Sequence, residues 1–173
     1  MDRDGYLWYF VPAAALHELG HVLMIRLCGG TICRVELAGP GVCMTAMHPR
    51  GYCGDLLIAA GGPAMGLAAG WMGAALGWTA FSGANILLTV FNSLPILPLD
   101  GGCMMVSLLC MTPVGIRGED VIRAFSRVGA AGVALIGLVV LWQTQSNAAL
   151  LVIGLILLFG NESTPCKQRC NCV

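Results

Sequence analysis

The sequence predicts an all-α polytopic membrane protein of about five spans with a short membrane-associated β-hairpin after the first. Three observations carry this. Of 173 residues, 57% are hydrophobic and 10% charged, where soluble domains carry ~25% charged residues. Apolar runs close to the ~20 residues that cross a bilayer recur between short polar breaks. Between the first two runs, alternating apolar and polar residues flank an Ala38-Gly39-Pro40-Gly41 turn, as in a hairpin. Residues 1–160 read as one membrane-embedded unit with a core over 6–111, and 161–173 as a short tail. The formal net charge is zero and no basic cluster is present, so no nucleic-acid partner is expected and the lipid bilayer is the surrounding phase. The acidic start Asp2-Arg3-Asp4 lacks the basic region of a secretory signal peptide, so none is expected.

The first span runs from about Tyr6 to Leu27 and closes at Arg26 before Gly29-Gly30, a natural helix stop. It contains His17-Glu18-Leu19-Gly20-His21. Positions i and i+4 share one helix face, so His17 and His21 can offer two imidazole nitrogens to one ion. Glu18 follows His17 by ~100° at 3.6 residues per turn, within reach of a water at that ion. This is the H-E-x-x-H pattern of two metal ligands and a general base. Ionisable groups in an apolar span are costly unless paired, buried in the bundle or bound to an ion, so the setting sharpens the motif.

Thr31–Leu37 and Val42–Met47 read as the strands of the hairpin, closed by His48-Pro49-Arg50-Gly51, with His48 expected in solvent. An isolated two-stranded ribbon leaves an edge to which an extended peptide can add. The second span covers about Asp55 to Trp78. Its Gly62-x3-Gly66-x3-Gly70 and Gly73-x3-Gly77 spacing lets helix backbones approach closely, and Pro63 is expected to kink it. A third apolar stretch, about Ala84 to Met111, is interrupted by Asn92-Ser93-Leu94-Pro95-Ile96-Leu97-Pro98-Leu99-Asp100-Gly101-Gly102. Broken backbone at membrane depth is tolerated where it is buried in protein or lines a wet cavity. Asp100, just beyond the break, is the obvious third ligand. Gly115–Arg127 reads as a charged surface helix, followed by spans over about Val128–Trp142 and Ala148–Phe159.

The nine cysteines are odd in number and scattered, unlike a secreted disulfide framework, and Cys28, Cys33, Cys43 and Cys53 are expected to act as small apolar filler. The tail trio Cys166, Cys170 and Cys172 fits no strong metal template. Arg26, Arg34 and Arg50 flank the first connection and Arg117, Arg123 and Arg127 the third, while Lys167 and Arg169 lie in the tail. With five spans these fall on one side, which the positive-inside rule makes cytosolic. The N-terminus is then outside, the C-terminus cytosolic and the site in the cytosolic half of a multi-pass cell-membrane protein.

On His17-Glu18-Leu19-Gly20-His21 and Asn92-x2-Pro95-x4-Asp100-Gly101, with Gly62-Pro63 as a weaker match, the chain resembles the site-2 protease family of intramembrane zinc metalloproteases. Lacking a long insertion, it looks most like the compact branch containing the stage IV sporulation protease. The resemblance implies one zinc ion held by His17, His21 and Asp100, Glu18 as the catalytic base, and Asn92 as a substrate-binding residue. It also implies a membrane-protein substrate cut within or near its transmembrane segment, such as the precursor of a transcription or sigma factor, and admits a homo-oligomer or a regulatory membrane partner. Three departures stand out. The family's second-span motif carries Asn two residues after Gly-Pro-x, where this chain has Gly66. The sporulation branch has a span before the motif helix, where this chain opens on it, and some members carry a C-terminal nucleotide-binding domain. The alternatives are an inactive relative serving as a membrane binding scaffold, or a metal carrier. Retention of Glu18 with all three ligands weighs against the scaffold. The absence of ionisable residues between Asp55 and Trp78 weighs against the carrier.

Overall fold

The computed structural model describes residues 7–38, 41–112, 115–144 and 149–160. Helix α1 (Leu7–Leu27) leads into strands β1 (Thr31–Ala38) and β2 (Gly41–Met47) and then helix α2 (Gly51–Ala75). Helices α3 (Thr79–Asn92), α4 (Asp100–Cys110), α5 (Gly115–Thr144) and α6 (Ala149–Gly160) follow. This is the all-α membrane architecture with one hairpin that the composition predicts. β1 and β2 pair antiparallel, with Val35 opposite Met44 and an irregularity between Ile32 and Arg34.

Among the described residues, three helical segments are long and apolar enough to cross a membrane by themselves: Trp8–Leu27, Gly51–Ala75 and Val121–Gln143. The other two predicted spans are built differently. The third stretch is two helices of 14 and 11 residues, because Pro95 and Pro98 can donate no helical hydrogen bond. The last is a helix of 12 residues, ~18 Å long at 1.5 Å per residue against a hydrocarbon core of ~30 Å. The predicted division at Arg127–Val128 is absent: α5 is one continuous helix of 30 residues. A single glycine such as Gly129 costs only ~1 kcal/mol in a helix and does not end one. At ~45 Å the helix exceeds the hydrocarbon, so its charged first turns, before Val121, can stay beyond it. α2 is one helix of 25 residues with Pro63 inside it.

α2 is the axis of the bundle, packing on α1, α3 and α4. Its buried residues are nearly all small: Gly54, Ala59, Gly61, Gly62, Pro63, Gly66, Gly70 and Gly73. Lipid tails are as apolar as leucine, so helices associate in membranes through close packing rather than hydrophobic burial. Gly20 of α1 and Gly61 of α2 meet backbone to backbone, and a Cβ on Gly61 would lie 2.7 Å from the Gly20 carbonyl oxygen. On the other side, Gly66, Gly70 and Gly73 take Thr89, Asn85 and Phe81–Ser82 of α3 in antiparallel register. The side chains of Trp8, Trp71 and Trp78 are exposed. The antiparallel α1/α2 pairing sets them at one end of the bundle, the arrangement expected of an aromatic belt at a membrane–water interface. At 1.5 Å per residue, His17 and His21 then lie ~14–20 Å along α1 from Trp8.

His48 departs from expectation. Its side chain is 7% exposed rather than solvated, and its Nε2–H donates to Asp55 Oδ1 at 2.7 Å. Gly54 makes room for it, since a Cβ there would stand 2.5 Å from His48 Nδ1. Cys28 is buried as filler, whereas Cys33 and Cys53 are exposed. The tail cysteines Cys166, Cys170 and Cys172 lie outside the described residues.

Candidate metal centre

One turn of α1 sets His17 and His21 edge to face, with ring centroids 4.9 Å apart. His17 is 4% exposed. His21 is anchored from α2: its Nδ1–H donates to the Ile58 carbonyl at 2.8 Å. That bond exists because glycines bring α1 and α2 so close, and it turns His21 Nε2 toward His17. Gly62, the next turn of α2, faces both rings; a Cβ there would collide with His21 Nε2 and stand 2.6 Å from His17 Nε2.

The third member comes from the broken segment. After α3 ends at Asn92, residues 93–99 fold back before Asp100 opens α4. The fold-back crosses α4 so tightly that a Cβ on Gly101 would strike the Ser93 carbonyl, and one on Gly102 would lie 2.7 Å from Leu97 N. The Asp100-Gly101-Gly102 sequence is thereby explained: an aspartate at the helix start, followed by two residues against which main chain packs. Asp100 Oδ2 lies 2.8 Å from His17 Nε2 and Oδ1 lies 3.3 Å from His21 Nε2. The two Nε2 atoms are 3.3 Å apart.

This set of donors fits a divalent metal. With Nδ1–H of His21 bonded to Ile58, a neutral His21 presents a lone pair at Nε2, and the Asp100 carboxylate presents only lone pairs. Such atoms converge stably only around a proton or a cation. Donors ~2.0–2.1 Å from a tetrahedral zinc stand ~3.3–3.4 Å from one another, which is the separation of His21 Nε2 from both His17 Nε2 and Asp100 Oδ1. The ligand atoms of all three residues lie within 4.8 Å of one another. An imidazole whose second nitrogen donates to a backbone carbonyl is also the usual orientation of a metal-bound histidine.

Of the other predicted site residues, Glu18 is half-buried and follows His17 directly on α1, ~100° round the helix from it. Asn92 ends α3, and its Nδ2 donates to the Leu88 carbonyl of its own helix at 3.1 Å. The α2/α3 register that pairs Gly70 with Asn85 and Gly66 with Thr89 carries Asn92 to the level of Gly62. The polar group expected at Gly66 is absent from α2, and Thr89 of α3 fills that place, its hydroxyl against Gly66. Sequence reasoning missed the Ile58 carbonyl and the role of Gly62. Gly62-Pro63 was a visible signal, but its spacing is equally that of a packing stripe.

Fold and cluster together define a polytopic membrane protein with a buried site of two histidines and one carboxylate, a donor set that could hold one metal ion. Among solved structures, the chain is similar to the site-2 protease from Methanocaldococcus jannaschii. The TM-score is 0.71 at 23% sequence identity, over 90% of this chain and 75% of that one. The chain therefore has the site-2 protease fold. No protein-family model matches the sequence, and no curated protein matches it.

Proposed function

We propose that this chain is an intramembrane zinc endopeptidase that hydrolyses a peptide bond within or near the transmembrane segment of a membrane protein. The observation that carries the proposal is the convergence of His17, His21 and Asp100 in an apolar bundle, with Glu18 next to His17 on the same helix. The likeness to a protein described as a site-2 protease supports the same reading. His17, His21 and Asp100 would hold the ion, leaving a fourth position open. When bound, zinc supplies Lewis acidity toward a water and the scissile carbonyl.

The remaining work belongs to the protein. The Glu18 carboxylate takes the proton of the attacking water and returns it to the leaving amine nitrogen, a general base and then a general acid. His21 is kept from rotating by Ile58. Asn92 is assigned to the substrate, whose backbone must unwind to expose the scissile bond. The edge of the β1–β2 hairpin is a place where that unwound segment can add as a strand. The substrates of this reading are single-span or hairpin membrane proteins, transcription- or sigma-factor precursors among them. The short Met47–Gly51 passage from β2 to α2 leaves no room for an inserted domain, which is the support for the compact sporulation branch. By the positive-inside rule the site belongs to the cytosolic half.

The test is mass spectrometry of transmembrane peptides incubated with the zinc-loaded full chain and with its Glu18→Gln variant. Peptides cut only by the unaltered chain support the proposal. Zinc binding without cleavage of any membrane peptide would instead support a scaffold.

A further inference from the structure

We infer that Ser126 of α5, outside the core over residues 6–111 that the motifs span, is a positioning residue that holds the segment aiming Asp100. The inference rests on the metal-site reading above. It starts from the hydrogen bonds of the broken segment. Leu94, Ile96 and Leu99 each donate to a main-chain carbonyl within it or at the end of α3: Phe91, Leu94 and Ile96 respectively. Pro95 and Pro98 have no N–H to place. The Leu97 N–H goes elsewhere, to Ser126 Oγ at 3.0 Å, across 29 residues of sequence. Leu97 is 2% exposed and Ser126 fully buried, so no water competes for either group, and an unpaired N–H there would be costly.

Around this bond the segment is seated on one face of α5. Leu97 and Ile122 share an apolar cluster with Val106, and Ile96 and Leu99 share another with Ala130 and Leu157. Ile122, Ser126 and Ala130 are spaced by four residues, one helix face. The apolar contacts fix how closely the segment lies on α5 but tolerate sliding. The bond from Ser126 is directional and fixes register. It acts on the site because the same Leu97 amide lies against Gly102 in the first turn of α4, the turn that Asp100 opens. Metal sites accept donor displacements of only ~0.2 Å, so a small slip of Leu97 is transmitted to the carboxylate.

The experiment uses the full chain in lipid nanodiscs, titrated with Zn2+ and with Co2+ as a spectroscopic probe. The unaltered chain should bind one metal ion. Ser126→Ala should weaken binding by about 10-fold or more, within the ~10–100-fold range for groups that orient ligands. It should also speed hydrogen exchange in the peptide containing the Leu97 amide. Ser126→Cys, close in size and a weak acceptor, should recover part of both. In an Asp100→Ala background, Ser126→Ala should cause no further loss, because its effect passes through Asp100. Equal losses with and without Asp100 would overturn the inference and make Ser126 a general stabiliser. Unchanged affinity or unchanged exchange in Ser126→Ala would overturn it too. Absence of metal binding by the unaltered chain, or full binding by Asp100→Ala, would instead defeat the metal-site reading, and the inference with it.

Discussion

A single methyl group tests where the ion sits. In Gly62→Ala the new Cβ would stand 2.6 Å from His17 Nε2, 2.7 Å from His21 Cε1, and closer still to His21 Nε2. Carbon and nitrogen rest ~3.5 Å apart or more, so both rings must retreat by ~1 Å, several times the ~0.2 Å a metal site tolerates. His21 can retreat only by loosening its bond to the Ile58 carbonyl, a further ~1 kcal/mol. Metal affinity should therefore fall about 100-fold or more, the upper end for loss of ligand orientation. The helix itself is not weakened, since alanine is favoured over glycine by up to ~1 kcal/mol in a helix interior. The assay is zinc content after dialysis, with Co2+ titration and thermal melting of the metal-free protein. Gly83→Ala is the control: it is also helical, but nothing lies within 4 Å of its Cβ position, so its affinity should not change. Wild-type affinity in Gly62→Ala would refute the placement of the ion between the two Nε2 atoms.

The remaining expectations follow from the same geometry. His17→Ala, His21→Ala and Asp100→Ala should each lower zinc occupancy, measured by elemental analysis; full retention in Asp100→Ala would remove that carboxylate from the ligand set. Glu18→Gln keeps its size and hydrogen bonding, so zinc should stay while peptide hydrolysis falls by ~10²–10⁴-fold; a variant that cuts at the normal rate would deny Glu18 the base role. Labelling of cysteines introduced at Arg34 and Arg50 should report a cytosolic hairpin; labelling from outside the cell would reverse the proposed orientation.

What could be read from the sequence was whatever a local rule converts into proximity. Helical geometry turns the spacing of His17 and His21 into a shared face, and it sets Glu18 beside them. Asp100 was legible because Pro95 and Pro98 break an apolar stretch where a break must be buried, and an acid follows at once. Pattern also gave the hairpin, since alternation and a Gly-Pro-Gly turn leave few other structures. Features set by contact between distant elements were not legible. His48 looks like a loop histidine, and only the packing of the hairpin exit on α2 buries it against Asp55. Ser126 looks like any small polar residue of a charged surface helix until Leu97 is laid against it. The continuity of α5 was hidden by its charge, which changes sharply at Arg127 although the backbone has no reason to stop there.

The glycines of α2 show why one pattern concealed two functions. On a helix in lipid, Gly61 and Gly62 are neighbours ~100° apart, and both face α1. Gly61 brings the backbones together at Gly20, and that approach puts the Ile58 carbonyl within reach of His21. Gly62 then has to be empty of side chain for a different reason, because the space beside it belongs to the converging Nε2 atoms. Gly66, a turn further on, meets neither histidine and accepts the Thr89 hydroxyl instead. Small residues at this spacing thus select the helix pairing, and the pairing in turn orients the ligands. The stripe is a packing device along its length and part of the proposed metal centre at one position, and the distinction becomes visible only when the opposing side chains are known.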